Sequence, residues 1–294
     1  MQKIGALFQV TRVGNLLIML GTLALSYYCL TDYLTPDDLL KPRFLLLCLS
    51  VLLTGAAGYI INDYHDVQID LTNKPEKVVI GKIISRRWAM LLHFIFNVLA
   101  VIIGLSLRIE IGIMVMVSAI LLWLYSVHFK KQFLTGNIMV AALSALVIVI
   151  LPLFNKQISG YLVWSYALFA FGISLIREIV KDAEDLRGDS KFNCKTLPIV
   201  MGIRKTKNLL LTLIFIYVGL VFSHIFIANS LIPFRHGYDN VFYTFYMLLF
   251  VCIPLLFSAY LMYRADVKND FTRLSRLFKL LMIAGLLSMV IIKL

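Results

Sequence analysis

The sequence is poor in charged residues and in cysteine. Charged side chains make up 15% of its 294 residues and hydrophobic ones 61%. In soluble globular domains about 25% of residues are charged and about 45–50% are apolar. One aqueous core cannot bury this much apolar surface in a chain of this size. The four cysteines include no C-x-x-C pair, which argues against a disulfide framework and a zinc site. The composition excludes a water-soluble domain and indicates an integral membrane protein.

Apolar runs long enough to cross a bilayer recur along the whole chain, and no linker or soluble segment separates them. A transmembrane helix needs about 20 residues, or about 17 at the shortest. The run at 88–128 is about twice that length and is interrupted only at Arg108 and Glu110, so we expect a tight helical hairpin there. The chain is thus predicted to be a single all-α polytopic membrane domain, 1–294, with about nine spans. The predicted spans are 13–31, 43–62, 88–107, 109–128, 135–154, 160–180, 206–228, 241–263 and 275–292.

The lysines and arginines predict the orientation of these spans. If the N-terminus is cytosolic, 22 of the 28 lie on the cytosolic side. The other six are Lys41, Arg43, Arg108, Lys156, Arg235 and Lys293. Such an excess is typical of cytosolic loops. The net charge of +12 is therefore assigned to membrane topology, and no nucleic-acid partner is predicted.

Acidic residues are concentrated where topology requires only lysine and arginine. Half of the 16 acidic residues lie in two predicted cytosolic loops, 63–87 and 181–205. At the start of the first loop, Asn62, Asp66 and Asp70 are four residues apart and so share one face of a helix. Carboxylates aligned in this way repel each other unless a cation lies between them. We call these three residues the first acidic row.

The second acidic row consists of Asp182, Asp185 and Asp189, whose i, i+3, i+7 spacing predicts another shared helix face. Hard oxygen ligands from few residues, completed by phosphate and water, are typical of Mg²⁺ sites. The two rows therefore predict a Mg²⁺ site. A solvated helix end would explain one acidic cluster, but two clusters on one side of the membrane favour the metal. The D-x-[DN]-x-[DN]-G pattern of a calcium loop is absent.

Basic residues surround both acidic rows. A metal-bound diphosphate also needs positive charge on its free oxygens, which Lys and Arg supply. The positive-inside tendency by itself would place most of these basic residues here. We nevertheless expect Lys74, Lys77 and Lys130 to contact such a ligand.

The two rows and their neighbours resemble the signatures of the UbiA-type intramembrane prenyltransferases. The stretch Asn62-Asp63-x-x-Asp66-x-x-x-Asp70, with the following Asn73-Lys74-Pro75-x-Lys77, is similar to the first signature. The stretch Lys181-Asp182-x-x-Asp185-x-x-Gly188-Asp189 is similar to the second. Two further pairs match family positions, namely Tyr125 with Lys130 and Arg12 with Asn15. The resemblance implies helices around a central cavity, Mg²⁺ dependence and an active site on the cytosolic side.

The resemblance also implies a role for each matching residue. The residues expected to be catalytic are Asp66, Asp70, Asp185, Asp189, Lys130 and Tyr125. Those expected to bind substrate are Asn62, Lys74, Lys77, Lys130, Arg12, Asn15 and Lys181. The expected metal ligands are the members of the two rows, Asn62, Asp66, Asp70, Asp182, Asp185 and Asp189.

Within the superfamily, the string from Arg177 to Ile199 is most similar to the digeranylgeranylglyceryl phosphate synthases. This similarity implies transfer of a geranylgeranyl group from a prenyl diphosphate to a lipid-like acceptor, geranylgeranylglyceryl phosphate. Two alternatives remain open at this point. An aromatic C-prenyltransferase of quinone biosynthesis would use the same donor chemistry. An ion-coupled transporter is the alternative from another class, although transporter ion sites favour the bilayer midplane.

Overall fold

The chain folds almost entirely into helices. The described part of this computed structural model comprises residues 2–30, 33–158, 160–231 and 239–293. Within it, eight helices are long and apolar enough to cross a membrane, and Val13–Cys29 is a shorter apolar helix. The predicted all-α membrane fold with about nine spans is therefore confirmed.

The α-helices are named α1 to α13 in chain order. Their bounds are Gln2–Val10, Val13–Cys29, Pro42–Asn73, Arg86–Leu107, Ile109–Val127, Thr135–Phe154, Tyr161–Glu184, Leu186–Lys191, Leu197–Met201, Ile203–Leu231, Asp239–Met247, Ile253–Arg264 and Lys268–Lys293. Short 3-10 helices are found at Pro36–Leu40, Pro75–Lys77 and Phe129–Lys131. A π-helical turn, Leu248–Cys252, joins α11 to α12, so the two form one span.

Three helices are longer than hydropathy predicts. α3 continues past residue 62 to Asn73, α7 continues past residue 180 to Glu184, and α13 begins at Lys268 rather than at residue 275. In each case the apolar run ends but the backbone stays helical. Many of the polar side chains in these extensions face a cavity between the helices. The prediction of long loops at 63–87 and 181–205 is wrong over these helical stretches.

The run at 88–128 folds as the expected hairpin. α4 ends at Leu107 and α5 begins at Ile109, so Arg108 alone separates them. Close to this turn Gly104 faces Gly112, and a Cβ added at Gly104 would lie 3.0 Å from the Gly112 Cα. Glycine at both positions therefore lets the two helices approach this closely.

The helices surround a cavity of about 850 Å³. One group of buried apolar side chains comes mainly from α7 and α10–α13, and a second comes mainly from α2–α7. Polar contacts connect the C-terminal part of α3 to the start of α2, to the segment after α5 and to the start of α13. Another contact connects the C-terminal part of α7 to the start of α6. These helix ends therefore meet at one end of the bundle, which we call the motif end.

Candidate active site

The first acidic row lies along one wall of the cavity, as its spacing predicts. Asn62, Asp66 and Asp70 all line the cavity from the C-terminal part of α3. Asp66 is only 3% exposed and forms an ion pair with the ammonium of Lys130. The same Lys130 Nζ lies 3.5 Å from the amide oxygen of Asn62. A basic residue from the α5–α6 connection thus contacts the row predicted to bind metal.

The second acidic row is not a single helix face. α7 ends at Glu184, and Asp185 has φ −95° and ψ 8°, which breaks the helix before α8 begins at Leu186. Because of this break, the i, i+3, i+7 spacing does not run along one helix, and that part of the prediction is wrong. All three carboxylates nevertheless line the cavity: Asp182 from α7, Asp185 from the break and Asp189 from α8.

Asparagine side chains hold the second row in place. The Asn137 amide on α6 donates to the Asp182 carboxylate at 2.8 Å. The Asn73 amide oxygen accepts from the Gly188 backbone N–H at 2.9 Å, and its NH₂ donates to the Asp185 carbonyl oxygen at 3.2 Å. Asn73 therefore connects the end of α3 directly to the break between α7 and α8.

The cavity wall at these rows carries an excess of negative charge. Six carboxylates, which we call the acidic wall, line the cavity here: Asp66, Asp70, Asp182, Glu184, Asp185 and Asp189. They face only two ammonium groups, because Lys130 pairs with Asp66 and Lys74 lies 2.9 Å from Asp185 and 3.0 Å from Glu184. Four formal negative charges are left over, which equals the charge of two divalent cations.

Two acidic-wall residues have carboxylates without a protein partner. Among the described residues, no hydrogen bond or ion pair reaches the side chain of Asp70 or Asp189. Hard, partly buried oxygens of this kind fit Mg²⁺. No three His, Cys, Asp or Glu side chains in the described part of the chain are grouped closely enough to hold a metal by themselves. A divalent ion here would therefore take part of its coordination from phosphate and water, as Mg²⁺ commonly does.

Burial and charge shift the pKa values of groups that lie outside the spans. Burial raises the pKa of Asp189 to about 7, although Lys130 acts in the opposite direction. Burial disfavours the charged form of Lys130, but its neighbours, with Asp66 foremost, together outweigh the burial and the pKa of Lys130 rises. Lys74 behaves in the same way beside Asp185. A carboxyl group that is half protonated near pH 7 gains its charge when a cation displaces the proton.

The remaining predicted residues, apart from Lys77, also lie at the motif end. The Arg12 guanidinium contacts Asp63 at 2.7 Å. The Asn15 amide oxygen accepts from Lys279 at 2.8 Å. Lys181 pairs with Glu178 at 2.8 Å, and Tyr125 lines the cavity. The side chain of Lys77 lies outside the described part of the structure.

Farther from the motif end, the cavity lining becomes apolar and aromatic. Val115, Val147 and Ile148 from α5 and α6 line this region together with Phe169 and Met289. The arrangement combines a charged end of the cavity with an apolar end. Such a site fits an amphiphile with an anionic head and a long hydrocarbon tail.

Three contributors to the site received no role in the sequence analysis. Asn137 is a lone amide in an apolar run, and only the packing of α6 on α7 brings it to Asp182. Glu184 lies between two members of the second row and Asn73 three residues after the first row, but both fall outside the spacing that defines each row. Their contacts with Lys74 and Gly188 depend on how α3 meets α7 and α8.

The sequence is similar to known intramembrane prenyltransferases. The sequence model of the UbiA prenyltransferase family matches residues 16–283. The digeranylgeranylglyceryl phosphate synthase of Methanosphaera stadtmanae is 30% identical over 243 residues, which cover 82% of this chain and 84% of that protein. The digeranylgeranylglyceryl phosphate synthase of Saccharolobus solfataricus is 34% identical over 217 residues, 72% of each chain. The resemblance predicted from the two acidic rows is confirmed.

The fold is also shared with a solved structure. A structure of digeranylgeranylglyceryl phosphate synthase superposes with a TM-score of 0.69 at 25% identity and covers 100% of both chains. The match extends along the full length of the chain, in agreement with a cavity built from helices throughout the sequence.

Proposed function

The chain belongs to the UbiA prenyltransferase family, and from this premise we propose that it transfers a geranylgeranyl group from geranylgeranyl diphosphate to the free hydroxyl of geranylgeranylglyceryl phosphate. The M. stadtmanae and S. solfataricus relatives carry the name of that activity. The observation that carries the proposal is the acidic wall, which lines one end of a cavity whose remaining lining is largely apolar.

The acidic wall supports a metal-bound diphosphate as the donor head group. Asn62, Asp66 and Asp70 on one side, and the second acidic row on the other, would hold Mg²⁺. The bound ions would neutralise the diphosphate and make it a better leaving group. Four unbalanced negative charges and the partnerless carboxylates of Asp70 and Asp189 support this assignment.

Lys74 and Lys130 are placed to stabilise the leaving group. Both ammonium groups lie among the carboxylates of the acidic wall, where they would donate hydrogen bonds to diphosphate oxygens. When the allylic C–O bond of the donor breaks, its electron pair remains on the diphosphate, and nearby positive charge stabilises it. The acceptor hydroxyl oxygen forms the new bond to that carbon, and the hydroxyl proton leaves with the diphosphate.

The apolar part of the cavity supports a prenyl tail. The whole cavity, with a volume of about 850 Å³, lies within the range of about 300–1,000 Å³ that is common for small-molecule sites. Apolar walls also keep water away from a carbocation, which water would otherwise capture. Tyr125 lines the cavity, and we propose that its ring stabilises the developing positive charge.

The proposal is tested by offering the purified protein a choice of acceptors. With Mg²⁺ and radiolabelled geranylgeranyl diphosphate, we expect label in geranylgeranylglyceryl phosphate and none in 4-hydroxybenzoate or dihydroxynaphthoate. Transfer of label to an aromatic acceptor alone would contradict the proposal and favour the quinone-pathway alternative. The ion-coupled transporter loses support because the acidic rows lie at one end of the bundle rather than near its middle.

We also propose that the motif end faces the cytosol, on the basis of the excess of lysine and arginine there. All four native cysteines are buried, so a cysteine replacing the exposed Glu76 would be the main accessible thiol. We expect a membrane-impermeant maleimide to label Glu76→Cys in inside-out vesicles and not in intact cells. Labelling of Glu76→Cys in intact cells would contradict this orientation and indicate the opposite one.

A further inference from the structure

The cavity has a second charged wall, and its charge is opposite to that of the acidic wall. Five cationic and two anionic side chains line the cavity there, and we call them the basic wall: Arg12, Arg177, Lys181, Arg276, Lys279, Asp63 and Glu178. Their formal charges sum to +3. This excess has no role in binding metal, because cations repel a metal ion.

Most of the basic wall's negative charge is already engaged. Asp63 pairs with Arg12, while Glu178 lies 3.1 Å from Arg177 and 2.8 Å from Lys181. Two ammonium or guanidinium groups remain without a carboxylate. Among the described residues, Arg276 has neither a hydrogen bond nor an ion pair, and Lys279 contacts only the neutral amide of Asn15.

One guanidinium nitrogen of the basic wall is also buried and unsatisfied. The Arg177 Nε has no hydrogen-bond partner among the described residues, although its Nη1 contacts Glu178. A buried N–H without an acceptor is costly and usually finds a ligand or water. Arg177 Nε and Arg276 thus give this wall unused donors from α7 and α13, and Lys279 adds an ammonium group that contacts only a neutral amide.

The positive-inside tendency does not account for this placement. It places cations at the cytosolic surface without regard to a cavity. Arg204, Lys205 and Arg264 satisfy it from positions that do not line the cavity. The basic-wall cations instead line the same cavity as the acidic wall.

We propose that the basic wall binds the phosphate monoester of the lipid acceptor, separately from the diphosphate of the donor. Guanidinium and ammonium groups bind a phosphate directly, without a bridging metal. The inference rests on the proposed function, because it assumes that the acceptor is a glycerol phosphate. It assigns Arg177, Arg276 and Lys279 to the acceptor and leaves Lys74 and Lys130 to the donor.

The spacing of the two walls suits such an acceptor. Glu178 of the basic wall and Asp182 of the acidic wall are four residues apart on α7, a little more than one helical turn and about 6 Å along its axis. In a glycerol phosphate with one ether chain, the remaining hydroxyl lies within two carbons of the phosphate-bearing carbon. A phosphate on the basic wall therefore brings that hydroxyl toward a donor bound at the acidic wall.

There is also space for the acceptor beside the basic wall. Gly14 on α2 and Gly285 on α13 both line the cavity. A Cβ added at either glycine would meet no heavy atom within 4 Å. The wall formed by α2 and α13 is thus open enough to accept a glycerol group and the start of its hydrocarbon chain.

The test compares a phosphorylated acceptor with its dephosphorylated analogue. In protein reconstituted with Mg²⁺, the variant Arg276→Gln/Lys279→Gln should raise KM for geranylgeranylglyceryl phosphate about 10- to 100-fold. Its KM for geranylgeranyl diphosphate should stay within about twofold. The wild type's preference for geranylgeranylglyceryl phosphate over geranylgeranylglycerol should shrink by a similar factor, because the lost contacts involve only the phosphate.

The matched control is Arg273→Gln, which removes an exposed arginine from α13 that does not line the cavity. It should leave both KM values and the phosphate preference unchanged. A double variant that retains the full phosphate preference overturns the inference, as does one that raises KM for the donor instead. Intact donor binding excludes misfolding as the cause.

Two further results distinguish a failure of the acceptor assignment from a failure of the proposed function. If the wild type transfers no label to geranylgeranylglyceryl phosphate, the proposed function itself fails. If the basic wall binds an anionic membrane lipid instead, the double variant should change how activity depends on anionic lipid in phosphatidylcholine vesicles, while the phosphate preference stays intact. That result would overturn the acceptor assignment and leave the proposed function in place.

Discussion

Replacing Asp66 with Asn should lower kcat/KM by on the order of 10³-fold, as expected for loss of a group that stabilises charge at the reacting centre. Asp66 is 3% exposed, lines the cavity and pairs with Lys130. The substitution removes a proposed metal ligand and also leaves the Lys130 ammonium without its carboxylate. Transfer of labelled geranylgeranyl groups over a range of Mg²⁺ concentrations measures the loss.

Asp70→Asn separates the loss of chemistry from the loss of fold. The Asp70 carboxylate has no protein partner among the described residues, so its replacement by Asn leaves no Lys or Arg without an ion-pair partner. We expect activity to fall as in Asp66→Asn while the thermal unfolding temperature stays the same or rises. Glu76→Gln, which removes an exposed carboxylate outside the cavity, should leave turnover unchanged. Full activity in both aspartate variants would rule out the metal site.

Gly188→Ala should raise the Mg²⁺ concentration for half-maximal activity by about 10- to 100-fold, as is typical when residues that orient metal ligands are changed. A Cβ at Gly188 would lie 2.3 Å from the Asn73 amide nitrogen and 2.5 Å from its Cγ. That amide holds the Gly188 N–H and the Asp185 carbonyl. The clash therefore displaces the segment that carries Asp185 and Asp189.

A double-variant cycle identifies the clash as the cause. Asn73→Ala removes the colliding amide, so adding it to Gly188→Ala should restore part of the Mg²⁺ affinity that Gly188→Ala alone loses. Because the two residues are in direct contact, their effects should be non-additive. Gly219→Ala is the matched control, since a Cβ there meets nothing within 4 Å. Additive losses at Gly188 and Asn73 would contradict a clash with Asn73 as the cause.

The first acidic row was predictable because α3 is continuous. Helical spacing alone places Asn62, Asp66 and Asp70 on one face, and α3 keeps that geometry to Asn73. The hairpin between α4 and α5 was equally predictable, because a charged residue interrupts an apolar run that is too long for one span.

The second acidic row was harder to predict because its helix breaks. Asp182 to Asp189 contains no proline, and its one glycine lies after the break. The turn at Asp185 is accompanied by contacts with Asn73 and Lys74 from another helix. Periodicity describes a single helix and carries no information on such tertiary contacts.

The division of charge between the two walls was also invisible in the sequence. The distribution of Lys and Arg predicts only that the residues of both walls lie on one side of the membrane. It cannot separate the walls, because residues that are neighbours in sequence belong to different walls. On α7, Lys181 and Asp182 are adjacent in sequence but lie in the basic and acidic walls respectively. Only the packing of α2, α3 and α13 around α7 places the basic wall, with its net charge of +3, apart from the acidic wall, whose net charge with Lys74 and Lys130 is −4.

Equilibrium binding of geranylgeranyl diphosphate, with and without Mg²⁺, tests the central claim most directly. Titration calorimetry on the reconstituted wild type should show binding with Mg²⁺ and little or none in EDTA. Asp66→Asn and Asp70→Asn should each weaken the Mg²⁺-dependent binding, whereas Glu76→Gln should not. Equal affinity with Mg²⁺ and with EDTA, unchanged in the aspartate variants, would contradict a metal-bound diphosphate at the acidic wall.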